Sequence, residues 1–417
     1  MRTSTSKGMS AAFFRGLLAP VVAMASIAVW ALPATPAAQA EGQPILWGAY
    51  LNAMPSDRAR LATFESHAGK PASILHWGQP WFHDNTYQSF QTSYFQAARE
   101  HGSIPMVNWG SWDYCCGTNQ PRFRLSEIIK GAHDGYIHQW ARAAAAWGHP
   151  YFLRFDHEMN GFWQFAWSEQ TNGNKPGEFV AAWRHVHDIF VQDGARATTW
   201  VWCPNISGSK TTPLAELYPG DDYVDWTCMD GYNWGTDGNG QWQTFADVFG
   251  GSAFNGYHNT YEELLHLAPG KPIMIGETGT SRDGGDPGAW VRDALETQLP
   301  NNFPRIQALV WFNWNANDPA LDWPIESSPN TQAAFAEGIT SGYFASNQFG
   351  SIDGGPVAAP RRSTVAATTV GATETPAANA QMIATSPEAE AQADAADAQT
   401  AAALEQPTLA INGSEQA

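Results

Sequence analysis

The stretch Tyr151-Phe-Leu-Arg154-Phe-Asp-His157-Glu158-Met-Asn-Gly-Phe-Trp163 decides how this chain is read. Tyr151 to Phe155 is a short apolar and aromatic run broken by one arginine. Gly148-His149-Pro150 stands before it and Asn160-Gly161 after it. That is the pattern of a buried strand ending in a polar turn. Arg154, His157 and Glu158 then gather at the C-terminal end of the strand. A buried strand carries a cation only where a partner satisfies it. A structural ion pair between Arg154 and Glu158 is the plainest explanation of the cluster.

A second stretch adds another meaning. Lys271-Pro-Ile-Met-Ile-Gly-Glu277-Thr-Gly279 is again a short apolar strand that delivers one carboxylate at its C-terminal end. Two glutamates at the mouths of two buried strands, far apart in sequence, are what a two-carboxylate glycosidase requires. One must hold a proton for the leaving oxygen while the other stays ionised to attack the anomeric carbon.

Outward from these, strand alternates with helix. Strands are predicted at Ile45–Leu51, Ala72–Trp77, Ile104–Trp109, Tyr151–Phe155, Thr198–Cys203, Trp226–Tyr232, Pro272–Gly276 and Ile306–Phe312. Between them, Tyr87, Phe90, Tyr94 and Ala97 recur at helical spacing with Gly102 as a stop, and so do Phe179, Trp183, Val186 and Phe190. Thr260 and Glu263 read as a capping box. Asp286-Pro287 and Ser328-Pro329 each place a cap before proline at the first helical position. The fifth unit is the weakest, with only Pro213–Leu217 for its helix. Eight strands alternating with helices predict a single (β/α)8 TIM barrel over residues 41–342, whose active site lies at the strand C-terminal ends.

The flanks read differently. Arg2, Lys7 and Arg15 precede an apolar segment ending in Ala38-Gln39-Ala40. That pattern predicts a secretory signal peptide over 1–40 and a secreted, extracellular product. An uncleaved anchor is the alternative. No later segment is apolar enough to span a bilayer. Residues 343–417 are rich in Ala, Thr, Ser, Pro, Gln and Glu and are predicted to be a disordered tail.

The formal charge of −18 argues against nucleic acid and against an acidic polysaccharide, and is compatible with a neutral one. The four cysteines are Cys115, Cys116, Cys203 and Cys228. The adjacent pair either bridges itself or reaches separate partners, and Cys203 and Cys228 either bridge or stay as buried thiols. No metal and no cofactor are expected. There is no C-x-x-C pair, and His185-Val-His187 on a helix points its two rings to different faces. Of the twenty tryptophans all but Trp30 fall in the barrel. Trp163 and Trp311, with Trp109 and Trp314, stand at strand ends where flat rings suit the apolar faces of sugars. Trp140, Trp147, Trp183 and Trp290 sit in helices and read as core.

The segment Arg154-Phe-Asp-His157-Glu158-Met-Asn-Gly-Phe-Trp163 resembles the acid/base motif of glycoside hydrolase family 26. There a histidine directly precedes the catalytic glutamate, an arginine lies four residues before it and a tryptophan five after. Pro272-Ile-Met-Ile-Gly-Glu277 is similar to its nucleophile strand, Asp230-Gly-Tyr232-Asn-Trp234 to its sixth-strand segment, and Trp311-Phe-Asn-Trp314 to the eighth-strand end that supports the sugar. The likeness runs from about Leu46 to Gly338. Asn108-Trp109 departs from the histidine found there in many mannanases.

The resemblance implies a retaining endo-β-glycanase. Glu158 would be the acid/base and Glu277 the nucleophile. Arg154 and Tyr232 would stabilise ionised Glu277, His157 would orient the sugar or a carboxylate, and Trp163, Trp311, Trp109 and Trp314 would line subsites. Glu158 is expected to hold its proton more tightly than Glu277, because burial against Trp163 disfavours its charge. The majority of the family points to β-1,4-mannan or glucomannan as the neutral β-linked polysaccharide partner. The alternatives are β-1,4- or mixed-linkage glucan, a carbohydrate-binding barrel without turnover, and a surface-tethered protein. A monomer is expected.

Overall fold

The computed structural model describes residues 43–360, apart from 52–53, 162–164, 237–240, 253–255 and 315–321. The predicted signal peptide and residues 361–417 lie outside the described residues.

Eight parallel strands close on themselves: β1 (Leu46–Leu51), β2 (Ile74–His83), β3 (Ile104–Asp113), β4 (Tyr151–Phe155), β5 (Thr198–Trp202), β6 (Trp226–Asp230), β7 (Ile273–Thr278) and β8 (Ile306–Asn313). β1 pairs with both β2 and β8, which completes the barrel. The predicted (β/α)8 architecture is the observed one. β2 and β3 run well past their predicted ends, and a short strand, Thr86–Tyr87, folds back antiparallel onto β2.

Strand period two sorts the side chains. On β4, Tyr151, Leu153 and Phe155 pack outward with helical residues such as Trp140 and Trp183, while Phe152 joins an inner cluster with Ile104, Met106, Val201 and Met274. Arg154 shares the inward parity of Phe152. Gly48 lets β1 approach β2, because a Cβ there would collide with the Ile74 carbonyl oxygen.

Caps follow local sequence with one shift. Asp286 accepts from the backbone N–H groups of Gly288 and Ala289, and Ser328 accepts from that of Thr331. The helix Thr260–Leu267 is capped by Asn259 instead of Thr260. The Thr260 hydroxyl is engaged by the backbone N–H of Ser207 at 2.8 Å. The second helix spans Thr92–His101, so Tyr87 and Phe90 precede it, and Gly102 ends it at φ 94°. The helix Glu178–Gln192 buries the predicted stripe of Phe179, Trp183, Val186 and Phe190.

Both cysteine pairs are bridged, Cys115 to Cys116 and Cys203 to Cys228. The second bridge lies inside the barrel. It needs Gly276 opposite, where a Cβ would collide with Cys228 Sγ.

The boundary at 342 falls too early. Phe344, Ala345 and Val357 are buried, and Phe349 and Ile352 pack against the N-terminal mouth of the barrel. Ile45 bridges to Phe344, Thr199 Oγ1 accepts from the Val357 N–H at 2.7 Å, and Trp226 Nε1 donates to the Val357 carbonyl at 2.9 Å. No helical or strand period marks this segment, because the few apolar side chains that cover the opening are spaced irregularly among Asn, Gln, Gly and Pro. Among the described residues no helix is long and apolar enough to cross a membrane.

Ending the chain after Tyr343 is expected to lower the melting temperature. Phe344 and Val357 each lose ~1.5–3 kcal/mol of burial, and Trp226 loses its acceptor. Calorimetry of the two lengths checks this; equal melting temperatures would contradict the packed segment.

Candidate active site

The chain leaves β4 through a turn in which Asp156 and Glu158 both adopt left-handed backbone, with φ 45° and 54°. Non-glycine residues hold that conformation only where surroundings enforce it. Here the Glu158 N–H donates to the Cys203 carbonyl at 2.7 Å. The fully buried Asp156 carboxyl accepts from the backbone N–H of Ser111 at 2.7 Å and from its hydroxyl at 2.8 Å. The turn is thereby clamped to the ends of β3 and β5. It leaves Glu158 at the barrel mouth, 4% exposed, with Oε1 accepting from Asn205 Nδ2 at 3.0 Å. Asn160 fixes Asn205 in turn through two hydrogen bonds of 2.9 Å.

Glu277 comes from β7 itself, where the register with β6 shifts and sets Asp230 opposite it. Its Oε1 accepts from Arg154 at 2.7 Å and from Asn108 Nδ2 at 2.9 Å. Its Oε2 accepts from the Tyr232 hydroxyl at 2.7 Å. Arg154 also pairs with Asp230, so one buried guanidinium serves two carboxylates. His76 Nε2 lies 2.8 Å from the Asn108 carbonyl oxygen, which turns the Asn108 amide nitrogen toward Glu277.

Charge is distributed unevenly over this cluster. Burial alone would raise the Glu277 carboxyl, but the Arg154 charge and the surrounding donors overcome it and hold its pKa down to about 2. Asp230 is pushed well above the usual carboxylate range by burial, with Arg154 pulling against it and Glu277 and Glu158 pushing the same way. Burial, helped by Arg154, lowers His157 to about 3 and His76 to about 4. Both rings are therefore neutral at pH 7, and the cation facing Glu277 is Arg154. Single oxygens of Glu158, Asp230 and Glu277 all lie within 4.8 Å of one another. Three carboxylates so close are a metal-like donor set, but the guanidinium of Arg154 already bridges two of them.

Arg154, His157, Tyr232, Glu158 and Glu277 thus converge as read from sequence. Two tryptophans do not. Trp109 is wholly buried, donates to the Tyr136 hydroxyl at 3.0 Å and packs with Trp81 and Trp140. Trp311 is buried against Trp290 and Phe335, its Nε1 donating to the Trp323 carbonyl. Strand parity is the reason: in both cases the tryptophan faces the helices and its neighbour, Asn108 or Phe312, faces the site. Trp163 lies outside the described residues. Trp314 is half-buried, its ring 6.0 Å from that of Tyr50.

The aromatic cluster beside the site is instead the buried Tyr232, Phe312 and Trp323, with half-buried Tyr50, Trp234 and Trp314 packed against them. Tyr50 stacks on Phe312 at 4.6 Å and Tyr232 on Trp323 at 4.3 Å. Counting in twos from Gly48 and from Val310 would have found Tyr50 and Phe312. Trp323 and Asn205 follow their strands in loops and left no periodic signal. His157 Nδ1 is buried with no hydrogen-bond partner among the described residues, and its ring lies 4.8 Å from Phe165.

Residues 104–260 match the family described as Glycosyl hydrolase family 26. The chain is 34% identical over 303 residues to Endoglucanase H of Acetivibrio thermocellus, an alignment covering 71% of this chain. It spans only 30% of the length of that protein. In structure it is similar to the catalytic domain of an endo-β-1,4-mannanase from Bacillus sp. JAMB-750, with a TM-score of 0.53, 18% identity, and 75% and 91% of the two chains covered. It is also similar to a β-mannanase from Bacteroides ovatus, with a TM-score of 0.51, 16% identity, and 73% and 90% covered. At such identities those structures speak for the barrel alone. The sequence likeness to the endoglucanase, together with the matched segment that carries Arg154, His157, Glu158 and Tyr232, places this chain in glycoside hydrolase family 26.

Proposed function

We propose that this chain is a secreted, retaining endo-β-glycanase with Glu277 as nucleophile and Glu158 as acid/base. One observation carries the stereochemistry: the facing oxygens of Glu158 and Glu277 lie within 4.8 Å. Inverting enzymes need carboxyl groups ~6.5–9.5 Å apart to seat a water between them, whereas retaining ones need only ~5–5.5 Å.

Each residue has a task in that reaction. Glu277 Oε1 is taken up by Arg154 and Asn108, while among the described residues Oε2 accepts from Tyr232 alone. Oε2 keeps a free lone pair and attacks the anomeric carbon as Glu158 gives its proton to the departing glycosidic oxygen. In the second step Glu158 takes a proton from water, and that water displaces Glu277. The positive charge that grows on the sugar ring meets neutral His157 and His76 and ionised Glu277, and Arg154, paired with Asp230 and Glu277, is already neutralised. Asp156, through Ser111, positions the Glu158 turn.

The substrate we favour is β-1,4- or mixed-linkage glucan, supported by the likeness to an endoglucanase and by Asn108 where many mannanases of the family carry histidine. Mannan remains the second reading, resting on the majority of the family. Export is supported by the basic start, apolar run and Ala38-Gln39-Ala40 ending. Mature protein recovered from the culture medium is expected to begin at Glu41, as N-terminal sequencing would read.

Barley-type β-glucan and carboxymethylcellulose are expected to yield reducing ends faster than galactomannan, with the β-anomer formed first by NMR. Faster release from galactomannan would overturn the glucan assignment, and first-formed α-anomer the nucleophile. Glu158→Gln should lose ~10²–10⁴-fold in rate on poor leaving groups and little on the glycosylation step with good ones; a uniform loss would remove its acid role. Because ionised Glu277 is needed and Arg154 with the surrounding donors overcomes burial to depress its pKa, the acid limb of kcat/KM is expected below the usual carboxylate range. Tyr232→Phe removes a donor to the charged form, so the acid limb of kcat/KM should move up by ~1–2 pH units. An unmoved limb would contradict that hydrogen bond.

A further inference from the structure

The Cys115–Cys116 bridge joins sequence neighbours. In the chain-entropy account a disulfide stabilises a fold in proportion to the logarithm of the loop it closes. A bridge between adjacent residues encloses no loop, so stability does not explain it. Burial does not either, since both residues are exposed. The Cys203–Cys228 bridge is the opposite case, spanning two strands in the core.

The loop that carries the exposed bridge is built to stay still. It leaves the C-terminal end of β3, on the face of the barrel that holds Glu158 and Glu277. Gln120, 6% exposed, accepts from the Asp113 N–H at 2.7 Å and donates to the carbonyls of Asp113, at 2.8 Å, and Gly117. Asn172 then ties down both backbone groups of Gln120, at 2.7 and 3.0 Å. A rigid stem thus presents a small, apolar, polarizable ring to solvent.

That ring adjoins an aromatic path leading to the acid/base turn. His157 touches Phe165 at 4.8 Å, Phe165 touches Trp112 at 5.6 Å, and Trp112 touches Tyr114 at 5.7 Å, immediately before Cys115.

We propose that the Cys115–Cys116 ring, with Tyr114 beside it, is a remote sugar-binding platform for a glucan chain lying across the cleft. The disulfide meets the apolar C–H face of a glucosyl unit, and the half-buried Asp113 carboxylate, 3.3 Å from Cys115 Sγ, accepts from hydroxyls at the ring edge. Preorganisation supplies affinity, because neither loop nor ring has to be ordered on binding. The inference rests on the reading of the chain as a β-glucanase.

The test compares wild type with the Cys115→Ser/Cys116→Ser variant on cello- and mixed-linkage gluco-oligosaccharides of increasing length. Melting temperature and kcat/KM on the shortest cleaved substrate are expected to stay unchanged. KM on the longest should rise about tenfold, the effect of leaving ~50 Å² of apolar sugar and disulfide surface in water. A phosphine reductant added to wild type should reproduce the effect, with Cys203–Cys228 buried beyond reach. If the variant keeps the wild-type dependence on length, the platform is overturned. It is also overturned if melting temperature falls and all lengths lose equally, which marks a structural staple. A wild type that cleaves no glucan oligosaccharide would bring down the glucanase reading itself, a failure distinct from either of these.

Discussion

One buried guanidinium governs the centre of this molecule. Arg154 is wholly buried and meets Asp230 on one side and Glu277 on the other. Removing a cation from water is costly unless its partners are close and fully hydrogen-bonded. Here two carboxylates share that role from neighbouring strands, so the barrel must close in one register for the charge to be tolerated. The same contact keeps Glu277 ionised inside a pocket that would otherwise favour its neutral form.

Support for that contact comes from below and from the sides. Beneath it the Cys203–Cys228 bridge fills the lumen, with Cys203 Sγ 3.2 Å from both Arg154 and Asp230. Gly276 leaves room for it. The packed segment from Phe344 to Val357 covers the opposite mouth of the barrel. To the side, His76 fixes the Asn108 amide, which donates to Glu277. Each layer restricts the next, and little in the pocket is left to reorganise when charge moves.

The turn after β4 is the second device. Its left-handed residues would be strained alone, and the hydrogen bonds from Ser111 to Asp156 and from Glu158 to Cys203 make the strain tolerable. Strain held this way directs Glu158 across the mouth toward Glu277, two side chains 119 positions apart along the chain. Neutral His157 sits in the same turn with its Nδ1 free of protein partners among the described residues, and it adds no charge to the cavity.

Much of this was legible in the residues themselves. Apolar runs bounded by turn signals marked eight strands, and a charged group at the end of two of them marked the face that matters. The identities of Arg154, His157, Glu158, Tyr232 and Glu277 needed no coordinates. Tertiary structure decided which rings look at the site. Strand parity sends Trp109 and Trp311 into the helix layer and brings Asn108, Tyr50 and Phe312 inward, a distinction of one residue that composition does not reveal. It decided the cysteine pairing, which depends on Cys203 and Cys228 facing one lumen. It also decided the domain edge, where a few buried side chains in a segment without periodic pattern complete a core that their own sequence could not have built. Local pattern depends on neighbours along the chain, whereas facing, pairing and covering depend on neighbours in space.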